Sequence, residues 1–221
     1  MKEEVHVVAS NEVPKKPAIQ EPKVVVFDLG KVLLDFDYSI ACRRFAEQST
    51  ISPEETSHLL HNTPLLCEFE TGNLTAQQFY QKMRQSSGFE GDEELFQTIF
   101  REIFTPIPEM ISLHASLRSE GVPTYIFSNT NDIAIEYIRE RYSFFSHFDN
   151  YVLSYEHGAM KPQPKLYEVV EKIVGCRGAK ILYIDDRPEN IEAGARRGWQ
   201  VILQEDPART LREIRSRGLL A

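Results

Sequence analysis

Val24-Val25-Val26-Phe27 is an unbroken run of β-branched and aromatic residues that stops at Asp28-Leu29-Gly30. A strand with one wet face alternates apolar and polar residues. A strand that is apolar at every position has both faces covered, as in the parallel sheet of an α/β fold. Short β-rich runs recur at Thr124 to Phe127, Tyr151 to Ser154, Ile181 to Ile184 and Val201 to Leu203, separated by helical patterns over 108–120, 132–142, 164–174 and 188–197. That alternation predicts a doubly wound parallel sheet.

The stretch from Tyr38 to Phe104 differs. Ile40 to Glu47, Pro53 to His61, Ala76 to Gln85 and Asp92 to Phe104 carry apolar residues three or four apart, and no convincing strand interrupts them. Ser52-Pro53 and Thr75 stand at expected helix starts. Tyr80, Phe79, Phe96 and Phe100 fall at helical spacing and are read as the core of this bundle. The expected organisation is an α/β core over 22–36 and 106–221 with a helical cap inserted at 37–105. Residues 1–21, polar and holding Pro14 and Pro17, are expected to form a flexible tail.

Composition narrows the partners. A net charge of -8 leaves no general basic surface for phosphate backbones, so nucleic acid is not expected. No apolar run reaches the length of a membrane span, and Met1-Lys2-Glu3-Glu4 lacks the basic-then-apolar order of a secretion signal, so a cytoplasmic setting is expected, without a membrane. Cys42, Cys67 and Cys176 are odd in number and widely spaced, which predicts reduced thiols rather than a disulfide framework or a zinc site. His58 and His61 have no third ligand nearby in sequence and are read as surface residues.

In open parallel sheets, ligands bind at the carboxyl ends of the strands. The residues found there are Asp28, then Ser128-Asn129-Thr130, Lys161-Pro162 in the loop after the Tyr151 run, and Asp185-Asp186. Singly, each reads as a turn residue, a helix cap or a solvated charge. Together they converge. Two carboxylates about 4 Å apart repel by roughly 4 kcal/mol at an effective dielectric of about 20, so three at one crevice call for a cation. Mg²⁺ takes one or two carboxylates and leaves positions for water and phosphate oxygens. With Lys161 and a hydroxyl beside it, such a site suits a transferring phosphoryl group.

On these residues the chain resembles the haloacid dehalogenase superfamily over nearly all of 23–221. The resemblance rests on Phe27-Asp28-Leu29-Gly30-Lys31-Val32, Tyr125-Ile126-Phe127-Ser128-Asn129, Lys161-Pro162 and Tyr183-Ile184-Asp185-Asp186, followed by Arg187-Pro188-Glu189-Asn190-Ile191 and Gly194. It implies a Rossmann-like core with a C1 cap, and Mg²⁺-dependent hydrolysis of a small phosphorylated metabolite. Asp28 is then the nucleophile that forms an aspartyl-phosphate. Ser128 and Asn129 hold phosphoryl oxygens, and Lys161 stabilises their charge and that of Asp28. Asp28, the Gly30 carbonyl and Asp185 or Asp186 hold the metal, with Asp186 favoured as the direct ligand.

One position departs from the pattern. Where the family usually carries a second Asp that protonates the leaving group, this chain has Gly30. One reading of that loss is a non-catalytic phosphate-binding protein. The string that continues through Leu34-Asp35-Phe36-Asp37-Tyr38 is, however, also similar to the active α-D-glucose-1-phosphate phosphatase branch, which implies a sugar phosphate as substrate. Asp35 or Asp37 then offers a proton or a sugar contact, or else serves as a hinge or helix-cap carboxylate. Phe69-Glu70-Thr71-Gly72-Asn73-Leu74-Thr75 is similar to a cap loop that closes over the core and contacts the rest of the substrate, with Glu70 as its acidic member; its plainer reading is an interhelical turn.

Overall fold

The computed structural model describes residues 21–220. The expected tail, residues 1–20 of it, lies outside the described residues. Five parallel strands form one sheet: β1 (Val24–Phe27), β4 (Thr124–Ser128), β5 (Asn150–Leu153), β6 (Ile181–Asp185) and β7 (Gln200–Leu203). Their order is β5-β4-β1-β6-β7, with β1 at the centre.

The side chains of β1 alternate between two cores. Val25 and Phe27 point to one face, which is closed by Met110, Leu113 and Leu117 of α6 (Pro108–Ser119), Ile138 of α7 (Asp132–Arg141) and Ile214 of α11 (Pro207–Ser216). Val24 and Val26 point to the other, closed by Leu166, Tyr167 and Val170 of α9 (Pro164–Val174), Ala193 of α10 (Pro188–Arg196) and Trp199. All four are 5% exposed or less, and burying a side chain of this size contributes about 1.5–3 kcal/mol. The unbroken apolar run is therefore a consequence of helices on both faces.

Between β1 and β4 the chain leaves the sheet through β2 (Leu34–Phe36) and returns through β3 (Phe104–Pro106). The two pair antiparallel, Leu34 with Pro106 and Phe36 with Phe104, as a short ribbon outside the main sheet. Five helices lie between them: α1 (Tyr38–Ala46), α2 (Pro53–His61), α3 (Leu65–Glu70), α4 (Ala76–Ser87) and α5 (Glu93–Arg101). Ser52 with Glu55 and Thr75 with Gln78 form reciprocal capping boxes at the starts of α2 and α4. Phe96 contacts Phe79, Tyr80 and Phe100 at 5.6, 5.4 and 4.7 Å, so the four predicted aromatic residues do form the core of this segment, and Phe69 joins them by stacking on Phe79 at 4.4 Å. Ile133 of α7 joins the same cluster and ties the helices to the sheet.

Several boundaries differ from the sequence expectation. The last helix of the segment stops at Arg101 rather than Phe104, because Phe104 pairs with Phe36 in the ribbon. Ser154 opens the one-turn helix α8 (Ser154–His157) instead of ending β5. Helix α3 was not foreseen, since one and a half turns carry too little periodicity to be read. The cysteines are free, with Cys42 buried and Cys67 exposed. Among the described residues, no helix is long and apolar enough to cross a membrane.

Candidate active site

Strands β4, β1 and β6 are neighbours and run in one direction, so their carboxyl ends bring Ser128, Asp28 and Asp185 to the same edge of the sheet. Lys161 reaches this edge from the loop between α8 and α9. It is buried, and a buried ammonium is stable only when paired and hydrogen-bonded. Its Nζ donates to the Phe127 carbonyl at 2.9 Å and to Asp185 Oδ2 at 2.7 Å, and lies 2.9 Å from Asp28 Oδ1. Burial would lower its pKa, but the two carboxylates outweigh it and hold the lysine above its ordinary value.

The backbone of Lys161 is fixed by Asn129. The side-chain Nδ2 of Asn129 donates to the Lys161 carbonyl at 3.1 Å, and its Oδ1 accepts the Lys161 N–H at 2.8 Å. Both ends of the amide are engaged on the Lys161 backbone, while Asn129 still lines the cleft. Ser128 is buried, its hydroxyl donates weakly to the Asn129 carbonyl at 3.3 Å, and it lines an inner recess together with Gly30, Phe36 and Glu70.

The acidic pair divides its work. Asp185 is fully buried and accepts from Lys161, the Tyr183 hydroxyl, the Arg187 N–H at 2.8 Å and Asn190 Nδ2 at 3.0 Å. Burial alone would raise its carboxyl, but Lys161 and these donors hold it below the usual range. Asp186 is half-buried and faces the cleft, and burial together with Asp185 raises its pKa. Asp28 is pushed up to about 7, by burial first and then by Asp185 and Asp186, against the pull of Lys161.

Carboxylate oxygens of Asp28, Asp185 and Asp186 lie within 4.8 Å of one another. Three carboxylates against one lysine leave a local excess of negative charge, which adds to burial in raising the carboxyls of Asp28 and Asp186. These all-oxygen donors, with the cleft-lining Gly30 adding a main-chain carbonyl, fit a hard divalent cation such as Mg²⁺.

A cleft of about 280 Å³ opens over these groups, floored by Asp28, Lys161 and Asp186 and roofed by His61, Leu66 and Glu70 of the helical segment. Glu70 ends α3, and the turn after it is docked on the core. The Ser154 hydroxyl donates to the Glu70 carbonyl at 2.6 Å, and Gly72, with φ 73°, lies so close to Tyr155 that a Cβ there would meet the Tyr155 carbonyl oxygen at 2.1 Å. Burial pushes the Glu70 carboxyl up to about 7, against the opposing influence of Arg187 and Lys161.

The family model for haloacid dehalogenase-like hydrolases matches residues 22–198. The chain belongs to that family. Among its relatives, a D-ribitol-5-phosphate phosphatase of Bacteroides thetaiotaomicron is 25% identical over 203 residues, covering 87% of this chain and 96% of the relative. A sesquiterpene phosphatase of Aspergillus oryzae is 25% identical over 196 residues, covering 87% and 95%. The fold is similar to that of a haloacid dehalogenase-like hydrolase from Porphyromonas gingivalis, with TM-score 0.76, 24% identity and 89% and 99% coverage. It is also similar to a family enzyme of B. thetaiotaomicron in complex with magnesium and inorganic phosphate, with TM-score 0.74, 21% identity and 83% and 94% coverage.

Of the residues singled out from sequence, Asp28, Gly30, Asn129, Lys161, Asp186 and Glu70 line the cleft. Ser128 and Asp185 lie directly behind it. Asp37 does not join them: it is exposed, and its carboxylate accepts the Ser39 N–H as the N-cap of α1. Asp35 is also exposed and pairs with Lys31. Of the two readings the sequence offered, Asp37 takes the helix-cap one, and both carboxylates are engaged within five residues of their own position. Sequence reasoning gave no role to Asn190 and Tyr183, which hold Asp185, although Tyr183 opens the acidic-pair string and Asn190 lies in the segment that follows it. Exposed His61 turns out to edge the cleft against Tyr38, at 5.3 Å between rings. That contact has no sequence signature, because it depends on how α2 packs.

Proposed function

We propose that this haloacid dehalogenase-like hydrolase is a Mg²⁺-dependent phosphatase that transfers the phosphoryl group of a small phosphomonoester, of sugar-phosphate type, to Asp28 and then to water. The observation that carries this reading is the placement of Lys161 Nζ between Asp28 at 2.9 Å and Asp185 at 2.7 Å. Lys161 orients one oxygen of Asp28 and concentrates positive charge where a phosphoryl group would arrive.

In this reading Asp28 attacks phosphorus, the bond to the leaving oxygen breaks, and the resulting aspartyl-phosphate is opened by water to give inorganic phosphate. Ser128 offers its hydroxyl to a phosphoryl oxygen, and Asn129 acts by holding Lys161 in position. Asp28, the Gly30 carbonyl and Asp186 would hold Mg²⁺, with Asp185 supporting from behind. When bound, the ion neutralises charge on the carboxylates and on the phosphoryl oxygens. Residues 37–105 serve as a cap, and Glu70 meets the non-phosphate part of the substrate.

The size of the cleft favours a compact ester. At about 280 Å³ it sits at the lower edge of ordinary ligand sites, and Lys31, His61, Arg187 and Glu70 line it alongside Phe36, Tyr38, Leu66 and Met160. The ribitol phosphate of one relative is a nearer guide to such a substrate than a sesquiterpene chain. The test is a phosphate-release screen over phosphorylated metabolites, with and without Mg²⁺. Release from small sugar or polyol phosphates that stops on chelation is expected; no release from any ester would instead support the phosphate-binding reading.

A further inference from the structure

The reaction above lacks one part. A leaving alkoxide must be protonated, and position 30 has no side chain to do it. We propose that Glu70, brought in on the helical cap, protonates the leaving-group oxygen as the phosphoryl group passes to Asp28. This rests on the phosphatase reading and adds to it the source of the proton.

Three observations support the assignment. Glu70 lines the same cleft as Asp28, Lys161 and Asp186, on the roof where the departing part of the substrate would lie. Its carboxylate has no hydrogen bond or ion pair with another described residue, whereas its backbone is anchored through Ser154 Oγ at 2.6 Å. The other acidic candidates are occupied, Asp35 by Lys31 and Asp37 by its own helix. A carboxyl group that is held firmly by its main chain but left free at its tip is equipped to serve a ligand rather than the fold.

The step balances. As an Asp28 oxygen bonds to phosphorus, the electron pair of the breaking P–O bond goes to the leaving oxygen, which takes the proton of Glu70. The Glu70 carboxylate then accepts a proton from the water that attacks phosphorus, freeing Asp28 and regenerating the acid. The groups facing Glu70 act in both directions. Arg187 and Lys161 favour its ionised form and burial opposes it; Lys31, His61, Tyr38, Asp28 and Asp186 also line the cleft it faces. Burial prevails, and a carboxyl near 7 can both give and take a proton at neutral pH.

The experiment is single-turnover phosphoryl transfer with Mg²⁺, using phosphate esters of graded leaving-group pKa, on wild type and Glu70→Gln. Wild type is expected to depend weakly on leaving-group pKa and Glu70→Gln strongly, with alkyl esters losing about 10²–10⁴-fold and acidic aryl esters far less. The retained aryl rate also reports that the variant is folded and loaded. The alkyl-ester rate should fall as pH rises above neutrality in wild type, as the acid ionises, and that fall should be lost in Glu70→Gln, whereas a rise through neutrality set by Asp28 should remain. Equal slowing of alkyl and aryl esters, or no slowing, would overturn the proposal while leaving the phosphatase reading intact. Failure of wild type on every ester would overturn both.

Discussion

A Cβ on Gly30 would stand 2.6 Å from Cε1 of Phe36, so the Phe36 ring occupies the space where a side chain at position 30 would begin. The chain doubles back here: Gly30 bridges to Leu34, and the Lys31 N–H donates to the Leu34 carbonyl at 2.7 Å. Phe36 in turn is held by edge contacts with Tyr38 and Phe104 at 5.6 and 6.1 Å. The missing Asp is therefore matched by a filled space, and the proton donor has to come from elsewhere.

This relationship makes Gly30→Asp an overpacking change. It should cost about 1–3 kcal/mol of stability in urea denaturation. Phe36→Ala should cost less in the Gly30→Asp background than in wild type, because it vacates the contested space. Strict additivity of the two changes would show that Phe36 does not set the residue at position 30.

Lys161→Ala removes the cation between two buried carboxylates and should lower turnover about a hundredfold or more. If Asn129 acts by holding the Lys161 backbone, Asn129→Ala should slow wild type markedly and add little in the Lys161→Ala background. Measured kcat values for the four combinations decide it; full additivity would return Asn129 to direct phosphate contact.

Gly72 has φ 73° and no room for a Cβ against the Tyr155 carbonyl oxygen. Gly72→Ala should prevent the turn after α3 from seating on α8 and so lift Glu70 off the cleft. The expected result is a fall in kcat/KM for alkyl phosphates with little change in the far-UV spectrum, since the aromatic core of the helical segment is untouched. Unchanged kcat/KM would mean that the docked turn is not needed for turnover.

The sheet and the acidic edge were readable in the sequence because each rests on a local signal. Val24 to Phe27 is apolar throughout since both its faces are covered, and Asp28, Lys161, Asp185 and Asp186 follow buried runs. The β2–β3 ribbon was not readable: three residues at Leu34 and three at Phe104 pair across the whole helical segment, and Asp35 in its middle breaks the apolar pattern. The local partners of Asp37 and Asn129 were not readable for a similar reason. Residue type shows that a carboxylate or amide is present, but only the fold shows that Ser39 or the Lys161 backbone has already claimed it. Glu70 was identified through its loop, while its half-buried setting depends on α3 docking against Ser154.

The central claim is that Asp28 carries the phosphoryl group. It is tested most directly by acid-quenching the Mg²⁺-loaded enzyme during turnover of an aryl phosphate and mapping the trapped phosphoryl group by peptide mass spectrometry. The account predicts phosphate on the peptide that contains Asp28, and neither trapped phosphate nor turnover in Asp28→Asn. Turnover by Asp28→Asn at a rate near that of wild type would contradict it.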